Sequence, residues 1–454
     1  MNPYTRKSNL LVLELLDLKL SNLSNLSKRL SIKFFASDRR SASTRCYIGC
    51  LTLVLGLGSL AFGQSDGNRR ANLPIQAVDK AEEKAVVDPE DERFDQAMFD
   101  RVVQRGVNYL LNSGQAEDGS FSSQLGPAVT SMCIRALLEH GVPQEHPQVQ
   151  RGLRFLEATV QDDGGIYQTG SVLKNYETSV ALICFQRANK DGKYDDVLRR
   201  ALAFLKGLQF DDVKGHDLTS DFFGGVSYDV QKRPDVSNTS FFLDALEAAG
   251  EDGNSEAVQK ALVFMARSQN LPSQYNNAEW ALKVAAEDRG GFIYSAANRG
   301  ESKAGETPDG GLRSYASMTY AGLKSFLYAG VDKDDIRVKA ALDWIQRNYD
   351  LKSNPGMGQQ GLFYYYHVFA KALNTMGDEV IVDANGKQHF WRNDLVKQLD
   401  SSQNSNGSWV NLADRWYEGD PNLVSSYALL ALSYTAPKVR LDNQPADDDN
   451  SRFD

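Results

Sequence analysis

From Phe94 onward the chain alternates between two kinds of apolar pattern. The first places Arg or Lys a turn before an aromatic, often followed by Leu, and keeps charge on the opposite side. That spacing predicts an amphipathic helix. It occurs in RGVNYLLNSGQAEDGSF (105–121), RGLRFLEATVQDDGGIY (151–167), RALAFLKGLQ (200–209), KALVFMARSQ (260–269), KAALDWIQRNY (339–349) and RNDLVKQLDSSQNSNGSW (392–409). A Gln and a Gly-rich turn follow, the later turns being FFGGVSY (222–228), RGGFIY (289–294) and QGLFYYY (360–366). The second pattern is apolar on most faces and predicts a buried helix: TSMCIRALLEHG (130–141), TSVALICFQRANK (178–190), NTSFFLDALEAAG (238–250), SMTYAGLKSFLYAG (317–330) and SSYALLALSYT (425–435). Thr or Ser at its start reads as an N-cap, and Gly141, Gly250 and Gly330 read as helix stops.

The aromatic anchors Tyr109, Phe155, Phe204, Phe264 and Trp344 are 46, 49, 60 and 80 residues apart. Such a period means one helix pair copied about six times. Pairs of this kind stack into an open solenoid or close into a ring with the apolar helices inside, and periodicity does not choose between the two.

The ends change the picture. Residues 1–45 hold nine Lys/Arg and three acids, a net of +6, and residues 46–63 carry no charge. A basic flank, an apolar run and the small-x-small end Ala61-Phe62-Gly63 predict a secretory signal cleaved after Gly63, or an uncleaved anchor; export follows either way. The lead is long and no Met lies between Met1 and Met98, which predicts a start nearer Arg39. Residues 64–93 read as a polar disordered linker and 437–454 as an acidic disordered tail. Without residues 1–63 the chain has 50 − 9 = 41 basic and 59 − 3 = 56 acidic groups, a net of −15. That surface excludes nucleic acid and disfavours anionic lipid, so membrane contact is expected only through 46–63 if it is retained. Cys133 and Cys184 lie in apolar helical patterns, where Cys acts as a small hydrophobe; an oxidising compartment would also permit a disulfide.

QAEDGSF (115–121) and QNSNGSW (403–409) resemble the QW motif of triterpene cyclases such as squalene-hopene cyclase. The helix pairs around them are similar to the prenyltransferase and squalene-cyclase repeat. The resemblance covers about residues 94–436, some three-quarters of the chain. It implies an all-α fold, an α/α toroid of about six helical hairpins with inner helices around a central cavity and outer helices outside. In physical terms, Gln115, Gln161 and Gln403 suit free backbone groups at helix termini, while Phe121 and Trp409 cover the joint between repeats. These residues therefore read as structural.

Family chemistry gives two tests. The cyclases protonate substrate with an Asp-rich DxDD motif at an inner-helix start. The literal match DKDD, Asp332 to Asp335, falls between helices instead, where carboxylates favour a helix N-terminus. The corresponding slot, PDVSNTSFFLDAL (234–246), resembles PDxDDTA but carries Ser237 and Asn238 for the adjacent acids, leaving Asp235 alone. The prenyltransferases hold Zn²⁺ with Asp, Cys and His. His367 in FYYYHVFAKAL (363–373) matches the His segment, but GGLRSYASMTYAG (310–322) offers neither Cys nor acid, and one His makes no zinc site. The thioester sequence GCGEQ is absent. Asp235 and His367 are thus the catalytic candidates, and no metal or cofactor is expected. Phe222, Phe223, Phe241, Tyr315, Tyr364, Tyr365 and Tyr366 are the expected cavity lining, since aromatic faces suit isoprenoid chains and cations. Helical geometry also predicts that the three successive Tyr hydroxyls cannot share one core. The reading is an exported cyclase- and prenyltransferase-like repeat protein with an apolar aromatic cavity, binding an apolar or isoprenoid ligand or acting as a degenerate terpenoid cyclase. The alternatives are a non-catalytic toroid binding a protein or small ligand, and a carbohydrate-active toroid using acids among Asp235, Glu279, Glu306 and Asp309.

Overall fold

A computed structural model describes residues 94–229 and 232–436. The basic lead, the apolar run 46–63, the linker 64–93 and the tail 437–454 lie outside the described residues, and with them the expectations of export and cleavage.

Twelve long helices alternate in two roles: α1 (Gln96–Tyr109), α2 (Pro127–Glu139), α3 (Pro147–Glu157), α4 (Lys174–Ala188), α5 (Asp195–Leu208), α6 (Val236–Ala248), α7 (Glu256–Arg267), α8 (Ala316–Tyr328), α9 (Ile336–Arg347), α10 (Leu362–Met376), α11 (Trp391–Ser402) and α12 (Pro421–Thr435). Even-numbered helices are buried on nearly every side, as their unbroken apolar pattern predicts: eleven of the thirteen residues of α8 are buried. Odd-numbered helices bury one face only, four of eleven residues in α3. Each even helix packs on the next, and α12 packs back on α2 while α11 packs on α1. The described residues therefore form a closed ring, an α/α toroid, and the solenoid alternative falls. A two-stranded hairpin, β1 (Ile381–Val382) with β2 (Gln388–His389), decorates the turn before α11. No helix among the described residues is long and apolar enough to cross a membrane.

The repeated Gln and Gly make one joint. The Gln403 amide donates to Gly407 O (2.9 Å) in its own turn and to Val102 O (3.1 Å) of α1, so the last repeat is sewn to the first. Gln115, Gln209 and Gln269 do the same with Gly119, Gly224 and Gly290 and with the next outer helix. Gln161 departs, bonding Thr159 O and Tyr167 O within its own turn. Gly407 sits at φ +90°, and a Cβ there would stand 2.3 Å from Arg105 O. Both its conformation and its closeness to α1 require glycine. Trp409 is fully buried, donates Nε1 to Leu399 O (2.8 Å) and lies over Gly106, whose missing side chain makes the room.

One sequence expectation is corrected here. The Thr and Ser residues expected as N-caps lie inside the inner helices, which start earlier, at Pro127, Lys174, Val236, Ala316 and Pro421. Their hydroxyls accept the backbone N–H of the residue after the Gly-rich turn: Phe121 to Thr130, Ile166 to Thr178, Val226 to Thr239, Phe292 to Thr319 and Trp409 to Ser425, all at 2.9–3.0 Å. They tie the turn to the inner helix, satisfying an N–H that burial would otherwise orphan. Gly141, Gly250 and Gly330 do end α2, α6 and α8 in the left-handed region. Cys133 and Cys184 are buried free thiols.

Candidate functional site

The inner helices carry three layers of side chains down the ring axis. At the N-terminal end, Asp235 caps α6. Its carboxylate accepts Asn238 N (2.8 Å) and Asn238 Nδ2 (2.9 Å) and a hydrogen bond from Tyr294. Tyr294 belongs to the long segment between α7 and α8, which docks here through Val236 N to Tyr294 O (2.8 Å) and Ser295 Oγ to Pro234 O (2.6 Å). Burial pushes the Asp235 carboxyl up to about 6 against the pull of those donors. The next position, Ser237, donates its hydroxyl to Tyr364 OH (3.2 Å).

Below lies an aromatic layer. Tyr176, Phe241, Tyr364 and Tyr427, from α4, α6, α10 and α12, meet ring to ring at 4.9, 5.8 and 5.9 Å between centroids, with Tyr176 and Tyr427 hydroxyls 3.3 Å apart. His367 adjoins Tyr427 and Tyr434 at 5.8 and 5.9 Å. Burial and the charge of Arg135 hold its imidazole well below the usual range, so it is neutral, and its buried Nδ1 has no hydrogen-bond partner.

The third layer is charged. Asp244 of α6 pairs with Lys324 of α8 and with Lys371 of α10 (2.9 Å), and Lys371 also reaches Glu247 (2.8 Å). Burial works to raise the Asp244 carboxyl, but the two lysine charges outweigh it and hold it well below the carboxylate range. Arg135 donates to Tyr434 OH (2.7 Å) and, with Arg187, to Glu139 (3.4 and 3.1 Å).

These layers fill the centre. A space bordered by Asp244, Lys324 and Lys371 has a volume of about 0 Å³, and one bordered by Met132, Phe241, His367 and Tyr427 about 10 Å³, at most room for one water. Where the sequence leads to the expectation of an open apolar chamber, rings from four helices instead meet across the ring in the aromatic layer, and a charged cluster lies below them. Of the expected lining, Phe241 and Tyr364 do face the centre. Tyr315 is buried near them, its phenol pushed well above the usual range by burial and then by Tyr364 and Asp235. Tyr365 and Tyr366 point outward to Asp350 O (2.8 Å) and Leu351 O (2.6 Å), so the three tyrosines do part as helical geometry requires. Phe222 packs with Phe210 and His216 in its loop, and buried Phe223 follows it there.

The DKDD stretch is a helix start: Asp335 caps α9 through Arg337 N (2.8 Å), and exposed Asp334 pairs with Lys339 (2.9 Å). Glu279 pairs with Lys283 (2.7 Å), and Glu306 and Asp309 are exposed, none joined to Asp235 by a described hydrogen bond or ion pair. No group of His, Cys, Asp and Glu among the described residues is arranged to hold a metal ion. The charged layer was missed from sequence, although Asp244, Lys324 and Lys371 each stand among apolar neighbours in their helices. So were Glu177, which accepts Gln168 N (3.1 Å) and Ser171 Oγ (2.9 Å), and Glu418, which accepts Phe363 N (3.0 Å) and Tyr364 N (2.9 Å) at the start of α10.

An inner ring of apolar helices, an outer ring of amphipathic ones and a capped acid slot define a terpenoid-cyclase-like toroid. Residues 123–284 match the model of the squalene-hopene cyclase C-terminal domain. Among solved structures it is similar to a type II terpene cyclase from Scytonema, solved with geranylgeranyl dihydroxybenzoate, at 12% identity over 75% of this chain and 97% of that one, TM-score 0.46. A protein from Actinoplanes gives 15% identity over 75% of this chain and 100% of that chain, TM-score 0.45. The α-1,6-mannanase GH76A from Salegentibacter sp. HEL1_6 gives 12% identity over 74% and 98%, TM-score 0.48. A search of curated proteins returns no match.

Proposed function

We propose that the chain is an exported, non-catalytic relative of the terpenoid cyclases that works by binding a polypeptide on an exposed face at the end of the ring where the inner helices begin. The observation that carries the loss of catalysis is the acid slot. Protonating an alkene needs a protonated carboxylic acid held in place by neighbouring groups. Here Ser237 and Asn238 replace the paired acids. Asp235 stands alone, with its oxygens engaged by Asn238 N and Nδ2 in capping α6 and by Tyr294. Isoprenoid binding in the lumen is the second reading, and the packed axis weighs against it.

The binding surface follows from the segment between Trp409 and α12. Val410, Leu412, Trp416 and Tyr417 are exposed large apolar residues within eight positions, Leu412 at 97%. Trp416 and Tyr417 hold φ +60° and +65°, a conformation costly for such residues and characteristic of functional loops. Arg415 lies over the Trp416 ring at 4.4 Å and donates to Gln360 Oε1 (2.6 Å). Trp, Tyr and Arg are the residues that dominate protein–protein contacts.

A photo-crosslinking residue at position 412 of the intact exported protein tests this. The expected result is one defined polypeptide adduct that disappears with Trp416→Ala. An adduct to lipid, or none, overturns the surface reading. Isoprenoid recovered from the protein by mild extraction revives lumen binding.

A further inference from the structure

The end of the ring where the inner helices begin gathers three cations. Arg233, two residues before the Asp235 cap, and Lys303, from the segment that docks there, both lie over the ring of Tyr294, at 6.0 and 4.4 Å. They pair with one and the same carboxylate, Glu301. The three side chains are packed yet reachable, 28, 23 and 31% exposed. The next acid, Asp235, is buried, with its oxygens engaged by Asn238 and Tyr294.

Arg415, from the exposed segment before α12, is the third cation, and its charge acts on both Lys303 and Tyr315. Its guanidinium lies over Trp416 at 4.4 Å and gives one of its five donors to Gln360 Oε1 (2.6 Å). Among the described residues no carboxylate pairs with it. Burial, then Arg233 and Arg415, pull the Lys303 ammonium below its usual range against the charge of Asp235. A carboxylate brought to such a group makes charge-assisted hydrogen bonds, about twice as strong as neutral ones. Apolar surface surrounds it. Of the ten exposed large apolar side chains among the described residues, eight lie in segments running from an outer helix to an inner one; Ile336 and Val382 are the exceptions.

We propose that Lys303 and Arg415, backed by Arg233, receive a carboxylate from the polypeptide bound on this face. The partner places an Asp, a Glu or its C-terminal carboxylate between them and seats apolar side chains beside it on Leu412 and Trp416. This carboxylate site depends on the polypeptide reading of the same face and adds the partner's chemistry to it.

The test takes the intact exported protein with the photo-crosslinker at position 412 and reads the yield and identity of the adduct at low and high salt by mass spectrometry. The expected adduct is a separate polypeptide whose cross-linked stretch holds an Asp, a Glu or the chain end. Its yield should fall several-fold with added salt. It should fall by a similar factor with Lys303→Gln or Arg415→Gln, and then respond less to salt. Lys303→Arg should keep most of the yield, and Lys232→Gln, at an exposed position nearby, should leave it unchanged. Thermal midpoints equal to the parent's show that the variants are folded. An adduct indifferent to salt and to both Gln variants overturns the carboxylate site while the surface reading stands; the absence of any adduct overturns both. The site also falls if Lys232→Gln costs as much, or if the cross-link maps to residues 437–454 of the chain itself or to a stretch free of carboxylates.

Discussion

Glu418, on the turn before α12, accepts two backbone N–H groups at the start of α10 with one carboxylate oxygen and Asn411 Nδ2 (2.6 Å) with the other. Burial raises its carboxyl from 4.5 to about 7, and the same cause raises Glu177 to about 7 and Asp235 to about 6. A raised folded pKa means stability that is fully present below the unfolded value and lost as pH rises through the folded one. Stability is therefore lost as pH rises between about 4.5 and 7 for the two glutamates and between about 3.8 and 6 for Asp235, on the order of 3 kcal/mol at most for Glu418. Glu418→Gln keeps an acceptor without titrating, so denaturant midpoints between pH 5 and 8 should fall less steeply in the variant than in the parent; an unchanged slope would contradict the assignment. Asp244 has the opposite sign, its contribution appearing above the unfolded pKa and lost as pH falls. Asp244→Asn leaves two buried lysines without their shared partner and should cost about 3–5 kcal/mol in urea unfolding. A loss under 1 kcal/mol would show that the layer is solvated.

At the scale of elements, the joint between repeats is the unit that the chain copies. Gly407→Ala meets both a left-handed φ and the carbonyl of Arg105, so it should destabilise by at least about 2 kcal/mol, whereas Gly207, with open space around it, should tolerate Ala. Trp409→Ala should cost about 3–5 kcal/mol, since the ring fills the gap over Gly106. Equal effects at positions 407 and 207 in thermal melts would refute the joint. The sequence disclosed this unit because its parts recur at fixed offsets: Gln, Gly and aromatic in 403–409 repeat those in 115–121. It misled on Thr130, Thr178 and Ser425, because a hydroxyl near a helix start looks the same whether it caps its own helix or accepts an N–H from the preceding turn. Only the three-dimensional approach of turn to helix separates those roles.

For the whole molecule, closure decides behaviour. An open array of repeats unfolds piecemeal, each unit leaning only on its neighbours. Here α1 and α11 join, and α2 and α12 join, so every repeat has two partners and the ring should unfold as one cooperative unit. Hydrogen exchange should then show inner helices α2 and α12 as protected as α6 and α8; early exchange confined to the first and last pairs would indicate an open array. The ring was foreseeable from period and family likeness, but the state of its centre was not. Aromatics at 241 and 364 suit a chamber wall and a packed axis equally, and the outcome depends on how far rings from four helices reach toward one another. Likewise Asp244, Lys324 and Lys371 lie 80 and 127 residues apart in pairs and become one cluster only when the ring closes.

The central claim is that this toroid lacks the paired acids with which a cyclase protonates its substrate. Its most direct test is incubation of the pure protein in D₂O with squalene and with a geranylgeranyl substrate, followed by mass spectrometry. A protonating cyclase must deliver an exchanged carboxyl proton to carbon, marking each cyclised product with deuterium. The structure predicts that the polyenes are recovered unchanged and unlabelled. A deuterated cyclic product, lost on Asp235→Asn, would contradict it.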